Sequence, residues 1–146
     1  MSYVKIWVHV VWGTKNRERV LQKEIRKVLF HHIRENAKKK NIYIDFINGY
    51  LDHIHCLIAL NAEMTIAKAV QLIKGEAAYW ANKNNLLKTK LDWANEYFAV
   101  SVSESMIDKV RDYIKNQEEH HKKITFQQEY EEFIRKYNFI KLESHG

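Results

Sequence analysis

The hydrophobic pattern of this chain changes period in a fixed order, and that order limits its fold more than any other feature. Residues 3–12, YVKIWVHVVW, alternate: Val4, Ile6, Val8, Val10 and Trp12 point one way, Tyr3, Lys5, Trp7, His9 and Val11 the other. Successive side chains of an extended chain take opposite faces, so this is a strand with one fully apolar face. From Val20 to about Lys40, Ile25, Val28, Leu29 and Ile33 form a helical stripe. IYIDFI, 42–47, alternates again with Ile42, Ile44 and Phe46 inward, and Asn48-Gly49 reads as a hairpin turn. HIHCLIAL, 53–60, is apolar on both faces beyond its histidines, which marks a central strand. Thr65 caps a second helix to about Asn82, with Ile66, Ala69, Val70, Ile73, Ala77 and Trp80 on one stripe. Residues 84–95 read as a polar loop and YFAVSV, 97–102, as a fourth strand. Ser103, or Ser105, then starts a helix through about His121 that buries Ile107, Val110 and Ile114, and a last helix covers roughly Phe126–Tyr137. Strand-helix-strand-strand-helix-strand is the ferredoxin-like, split βαβ pattern. The expected class is α+β, an antiparallel sheet with two helices on one face and the other left for a ligand or a second chain.

One domain accounts for all 146 residues, with a core at about 3–102, a helix at about 103–121 and a helical tail at about 126–140. A domain of that length buries about 70% of the surface its unfolded chain exposes and needs no disulfide. The single cysteine, Cys56, points into the core and fits a reducing compartment. No secretory leader is visible, and no apolar run approaches the ~18 residues that cross a bilayer. The expectation is a cytoplasmic protein without membrane contact. A net charge of +6 favours polyanionic partners, nucleic acid first.

Chemistry concentrates at His53-Ile54-His55. Eight histidines would produce about 0.4 such pairs by chance, so the spacing alone decides little. On a strand, however, the two imidazoles share a face roughly 6.6 Å apart and can converge on one ion. His9, on the neighbouring first strand, is placed to lie near them. A third ligand is offered by KVRDYIKNQEEHH, where Tyr113 and Gln117 are four apart and share a helix face. Gln117 brings an amide oxygen and Tyr113 a phenol. The bland alternative makes the histidines incidental, Tyr113 a core aromatic and Gln117 a surface residue. Asp52 reads as a turn former ahead of a metal second shell, and His120 and His121 as surface residues at a helix end.

Four segments together resemble the single-tyrosine HUH transposases of the Insertion Sequence 200-like family, which includes the REP-associated tyrosine transposases. They are VHVVWGTKNRERVL, DHIHCLIAL, LIKGEAAYW and the stretch from VSVSESMIDKV to EEFIRKY. The resemblance implies His53, His55 and Gln117 as metal ligands and Tyr113 as the nucleophile that joins the 5′ phosphate. It implies magnesium or manganese as the divalent metal. It also implies single-stranded, hairpin-forming DNA as substrate, nucleoid association when bound to it, and a homodimer. Ala77-Ala78 and Asn61 depart from the serines and proline common in relatives. For the DNA backbone, Lys15, Arg17, Arg19, Lys74, Lys88 and Lys90 are the candidate contacts. Trp12, Trp80 and Trp93 are candidates for base stacking, although Trp12 and Trp80 also lie on core stripes. Two other readings stay open: a non-catalytic or domesticated single-stranded nucleic-acid-binding protein of the same fold, and a metal hydrolase in which Tyr113 is structural.

Overall fold

The computed structural model of the protein describes residues 2–137. Its elements follow the expected order: β1 (Ile6–Gly13), α1 (Lys23–Lys39), β2 (Tyr43–Tyr50), β3 (His53–Leu60), α2 (Ile66–Lys83) and β4 (Phe98–Val102), then α3 (Ile107–Lys115), α4 (Gln117–His121) and α5 (Phe126–Tyr137). Residues 138–140 of the expected tail lie outside the described residues. The strands form one antiparallel sheet in the order β2-β3-β1-β4. β3 is therefore central, as its two apolar faces require. In register, Val11 faces His55 and Gly13 faces His53 across the β1–β3 pair.

One sheet face carries the main core. Val8, Val10 and Trp12 of β1 and Ile54, Cys56 and Ile58 of β3 pack there with Leu29 and Ile33 of α1 and Ala69, Val70, Ile73 and Ala77 of α2. Ile54 and Ile58 are fully buried, and each such side chain contributes about 1.5–3 kcal/mol. Thr65 caps α2, its hydroxyl accepting from the Lys68 amide. Val28, expected on the α1 stripe, is exposed. The helix opens at Lys23 rather than Val20, and the buried position beside Leu29 goes to Arg26.

The second face is not open. α3, α4 and α5 cover it, with Trp7, Leu57, Ile107 and Ile114 in one cluster and Val11, Phe126 and Phe133 in another. Three further expectations change with that cover. Phe46 does not follow Ile42 and Ile44 inward, because a bulge between Ile44 and Phe46 shifts the register and gives the core position to Ile47. Phe46 packs under α3 instead. Asp45, at the bulge, receives two guanidinium hydrogen bonds from Arg111 of α3, at 2.7 and 2.8 Å. The β2–β3 turn falls at Leu51-Asp52, with Asn48-Gly49 still inside β2. Asn48 there donates to the carbonyls of Ile114 and Lys115 and so holds the end of α3. Finally, the helix expected from Ser103 to His121 breaks at Asn116 into α3 and α4, after a 3-10 turn at Glu104–Met106. The Ser103 side chain makes no capping bond.

Gly49 lies against β3, and a Cβ there would press on the His53 carbonyl and come within 3.1 Å of Ile54 Cα. Backbone cannot yield as a flexible side chain can. Gly49→Ala is expected to destabilise the protein by about 1–3 kcal/mol in urea unfolding, the usual range for overpacking. Because the displaced segment carries His53, near-ultraviolet circular dichroism should change with it.

Candidate active site

β3 supplies the pair. His53 and His55 are both fully buried on the α3–α5 face, since residues two apart on a strand share a side. His9 joins them from β1: its Nε2 lies 2.9 Å from His55 Nδ1 and the two rings stack. Asp52 was expected on the opposite face, chiefly as a turn former. It sits in the turn, where the backbone leaves strand geometry, and its Oδ1 lies 2.8 Å from His53 Nδ1. Asp52 therefore orients His53 as well as closing the turn.

α4 supplies Gln117, also fully buried. Its Nε2 donates to the Tyr113 carbonyl at 3.1 Å, which fixes its Oε1 inward. That oxygen stands 3.2 Å from His53 Nε2 and 3.1 Å from His121 Nε2. The helix break does not separate Tyr113 from Gln117, because this backbone contact spans it. His120 and His121 are not the surface residues expected at a helix end. The His121 side chain is 1% exposed, and His120 Nε2 stands 3.1 Å from a buried carboxylate oxygen, Oε2 of Glu129.

Glu129, on α5, was not singled out by the sequence reading, yet it is the hub. It is fully buried. Its Oε1 stands 3.2 Å from His55 Nε2, 3.3 Å from His53 Nε2 and 3.4 Å from His121 Nε2. Its Oε2 accepts the hydroxyl hydrogen bond of Tyr113. A signal was present: Glu129 falls between Phe126 and Phe133 on the buried stripe of α5, a carboxylate where the helical period demands an apolar side chain.

Burial depresses the pKa of His9 to about 3 and of His55 to about 4, each lowered further by a neighbouring histidine. For His53, burial acts in the same direction but is outweighed by hydrogen bonds to Asp52 and Glu129, so its pKa is raised. The Tyr113 phenol is pushed well above its usual range by burial and by the Glu129 charge. Glu129 resists burial because His121, His53 and His55 hydrogen-bond it, and stays ionised.

Hydrogen-bond chemistry tests whether this centre suits a metal. Asp52 accepts at His53 Nδ1, and the Ile124 carbonyl at His121 Nδ1, 3.0 Å away. Neutral rings with those protons fixed turn their Nε2 lone pairs toward Gln117 Oε1 and Glu129 Oε1, which are themselves acceptors. Acceptors facing acceptors need a positive charge between them, either imidazolium protons or a metal ion. The donor spacing of 3.1–3.4 Å matches ligands about 2.1 Å from one ion at right or tetrahedral angles, roughly 3.0–3.4 Å apart. The residues fit a divalent ion.

The candidate DNA contacts divide. Arg17 lies over the Phe126 and Tyr130 rings at 5.8 and 5.2 Å, and Arg19 over Tyr50 at 5.9 Å, both at the rim of the centre. Arg19 also lines a cleft of about 300 Å³ with Asp52, His121, Lys122 and Lys123. Lys15 is exposed and stands 3.9 Å from Asp92. Lys88 and Lys90 are exposed on the 84–96 loop. Lys74 is not a free cation: it donates to the Ala94 carbonyl at 2.7 Å. The tryptophans expected as stacking platforms are occupied as well. Trp93 is buried, edge-on to Trp12, with its indole NH on the Lys74 carbonyl, and Trp80 stacks on His32.

Residues 2–117 match the family model described as "Transposase IS200 like". The chain belongs to the IS200-like transposase family, a family of DNA-processing enzymes. It is 27% identical over 115 residues to the ISDra2 transposase TnpA of Deinococcus radiodurans, covering 75% of this chain and 81% of that one. It is 24% identical over 119 residues to the transposase for insertion sequence element IS200 of Salmonella typhimurium, covering 78% of each. Its fold resembles that of a transposase candidate from Deinococcus radiodurans solved by crystallography, with TM-score 0.64, 27% identity and coverage of 80% and 95%. It also resembles a REP-associated tyrosine transposase bound to a REP hairpin, with TM-score 0.60, 18% identity and coverage of 83% and 72%. No helix among the described residues is long and apolar enough to cross a membrane.

With no ion bound, the centre should make stability depend on pH. His9 and His55 titrate near 6.5 when unfolded and at about 3 and 4 when folded. Their contribution is complete above pH 6.5 and is lost as pH falls toward those folded values, because the unfolded chain binds the extra protons. His53 acts oppositely, its contribution being lost as pH rises through its raised folded value. In chelator, urea unfolding is therefore expected to show a maximum near neutrality. Below it, stability should fall by up to about 2.7 kcal/mol per pH unit, the slope for two protons, and His9→Gln should remove about half of that slope.

Proposed function

We propose that this chain is a metal-dependent transposase that nicks and rejoins single-stranded DNA through a covalent 5′-phosphotyrosine, with Tyr113 as nucleophile. The observation that carries the reading is that Tyr113 and the His53–His55 pair meet on one carboxylate, Glu129. In this reading His53, His55 and Gln117 hold the divalent ion, magnesium or manganese. Such an ion, when bound, would polarise the scissile phosphate and neutralise the charge that develops on it. Asp52 and His9 fix the outward ring nitrogens of His53 and His55, which sets which nitrogen of each faces the ion.

The remaining steps belong to the chain's own residues. The phenol has two groups in hydrogen-bond contact, Glu129 Oε2 and, farther off at 3.5 Å, His120 Nε2; Glu129, the nearer, takes the proton as the Tyr113 oxygen attacks phosphorus. A Tyr113–phosphorus bond forms, the bond from phosphorus to the 3′ oxygen breaks, and that oxygen leaves as a 3′ hydroxyl after taking up a proton. Phosphodiester energy stays in the tyrosyl link, so a different 3′ hydroxyl can reverse the reaction and join new strands. In this reading Arg17 and Arg19 at the rim of the centre, with Lys15 beside Asp92, would contact the DNA backbone. Hairpin-forming single-stranded DNA as the substrate, and a homodimer in which two tyrosines serve two ends, complete the proposal. The REP hairpin bound by the REP-associated tyrosine transposase supports the first.

The test incubates the protein with single-stranded DNA from the flanks of its own gene, with magnesium or manganese, on a denaturing gel. A protein–DNA adduct that survives denaturation and vanishes in Tyr113→Phe is expected, with binding of the same DNA retained. Cleavage that persists in Tyr113→Phe would establish a metal hydrolase instead. Tight binding without cleavage would favour the non-catalytic reading.

A further inference from the structure

A cavity of about 220 Å³ takes no part in the chemistry above. It lies between the end of β1, the 3-10 turn Lys15–Arg17, the start of β4 and α5. That volume is below the ~300–1,000 Å³ of a site for a drug-sized ligand and leaves room for one flat ring system. Phe126 lines it and also stacks on His53, with centroids 4.1 Å apart and planes 2° from parallel. The cavity is therefore one aromatic ring away from the His53 imidazole. Phe98 and Tyr130, edge to face at 4.8 Å, add further aromatic wall.

Two charged groups line the same space. Arg17 lies over the Tyr130 ring at 5.2 Å. Its backbone and that of Asn16 are left-handed, with φ of 54° and 57°, a conformation that costs any residue with a Cβ. Such strain persists only where the surroundings enforce it, and it clusters at ligand sites. Glu96 is exposed, and the Tyr130 hydroxyl donates to its Oε2 at 3.4 Å. Its Oε1 has no hydrogen-bond partner among the described residues. A carboxylate repels phosphate, so the cavity does not suit a stretch of DNA backbone. It suits a neutral, planar group that brings N–H donors.

We propose that this cavity binds a guanine base of the single-stranded DNA, next to the scissile phosphate, and that Glu96 selects it. The inference rests on the single-stranded DNA reading above and deepens it by naming a base. An ionised carboxylate offers two acceptor oxygens and no donor. Among the four DNA bases only guanine sets two adjacent N–H donors, N1–H and N2–H, on its Watson–Crick edge, and a single strand leaves that edge free. Thymine has one donor between two carbonyls. Adenine and cytosine each set one donor beside a ring acceptor, which a carboxylate opposes. The aromatic walls stack on any base. Glu96 therefore supplies the choice, and Arg17 is left to the phosphate of the same nucleotide.

The experiment measures binding of short, labelled oligothymidylates to the full-length Tyr113→Phe protein in magnesium by fluorescence anisotropy. One central thymine is replaced in turn by guanine, adenine, cytosine or hypoxanthine, which is guanine without its N2 amino group. Glu96→Ala is run in the same background, with Glu35→Ala as an exposed control on α1, which packs on the opposite sheet face. Circular dichroism checks folding. Guanine should tighten binding about tenfold or more over the all-thymine strand, the size of one bidentate base contact, and hypoxanthine should fall between. In Glu96→Ala all strands should bind alike, while Glu35→Ala keeps the guanine preference. The readout is a ratio between strands, so the general gain from removing a negative charge cancels. The assignment is overturned if guanine gains nothing over thymine, if adenine or cytosine is preferred, or if the guanine gain survives in Glu96→Ala. Failure to bind any strand overturns it together with the DNA reading. Guanine preference as described, with no adduct formed by the wild type, would leave the pocket in place and remove the transposase chemistry. An adduct formed without any guanine preference would remove the pocket alone.

Discussion

A carboxylate buried away from water must be matched on every lone pair, and the second face of this protein is arranged around one such group. Glu129 is fully buried, which carries a penalty of several kcal/mol if uncompensated. Compensation comes from both sides. Imidazoles of His53, His55 and His121 face one oxygen, and Tyr113 and His120 face the other. Phe126 and Phe133 flank Glu129 on α5, and Phe126 stacks on the His53 ring with centroids 4.1 Å apart. Apolar contact seats the helix, and the carboxylate fixes its register. A one-residue slip would put Gln128 or Tyr130 at the histidines and leave their nitrogens unmatched.

The cover over this face is held by polar contacts from β2 and α1. Arg111 of α3 grips Asp45 where β2 bulges, and the bulge is what turns Phe46 toward that side. Farther along β2, Asn48 takes the last carbonyls of α3. Arg26 of α1, itself 6% exposed, reaches Glu118 of α4 at 2.7 Å. These contacts place α4 so that Gln117 and His121 both point inward, although a helix of five residues has little stability of its own. Local sequence preference does not hold α4. Contacts from α1 and β2 do.

That division explains what could be read from the chain in advance. The β1-to-β4 order was legible because each element carries a strong period, and β3 parity put His53 and His55 on one side by geometry alone. The cover was not legible, because it depends on features with no period. A bulge at Asp45 leaves no mark in an alternating run, so Phe46 was assigned to the wrong face. Asn48-Gly49 has turn chemistry, but the turn falls three residues later, and Gly49 is instead needed where β3 backbone passes close. His120 and His121 look like ordinary helix-end residues until the break at Asn116 is known. Glu129 hides in QQEYEEF, where Glu131 and Glu132 are exposed and only its phase with Phe126 and Phe133 marks it out.

The two-sided carboxylate also decides how Tyr113 behaves. Glu129 acts on the phenol in opposite senses. As a negative charge it opposes ionisation of Tyr113, and as a hydrogen-bond acceptor it is the base that would receive the proton. Burial and then the Glu129 charge dominate, and the phenol is held well above its ordinary pKa. A dication on the other oxygen would cancel the charge while leaving the acceptor in place, although a cancelled charge also makes a weaker base. The balance between those two effects sets the reactivity of Tyr113. It is adjusted by groups several residues away, because Asp52, His9 and the Ile124 carbonyl determine how firmly the histidine lone pairs compete for the same positive charge. In the proposed reaction, half-buried Tyr113 would attack only once both the ion and the phosphate had reached the centre.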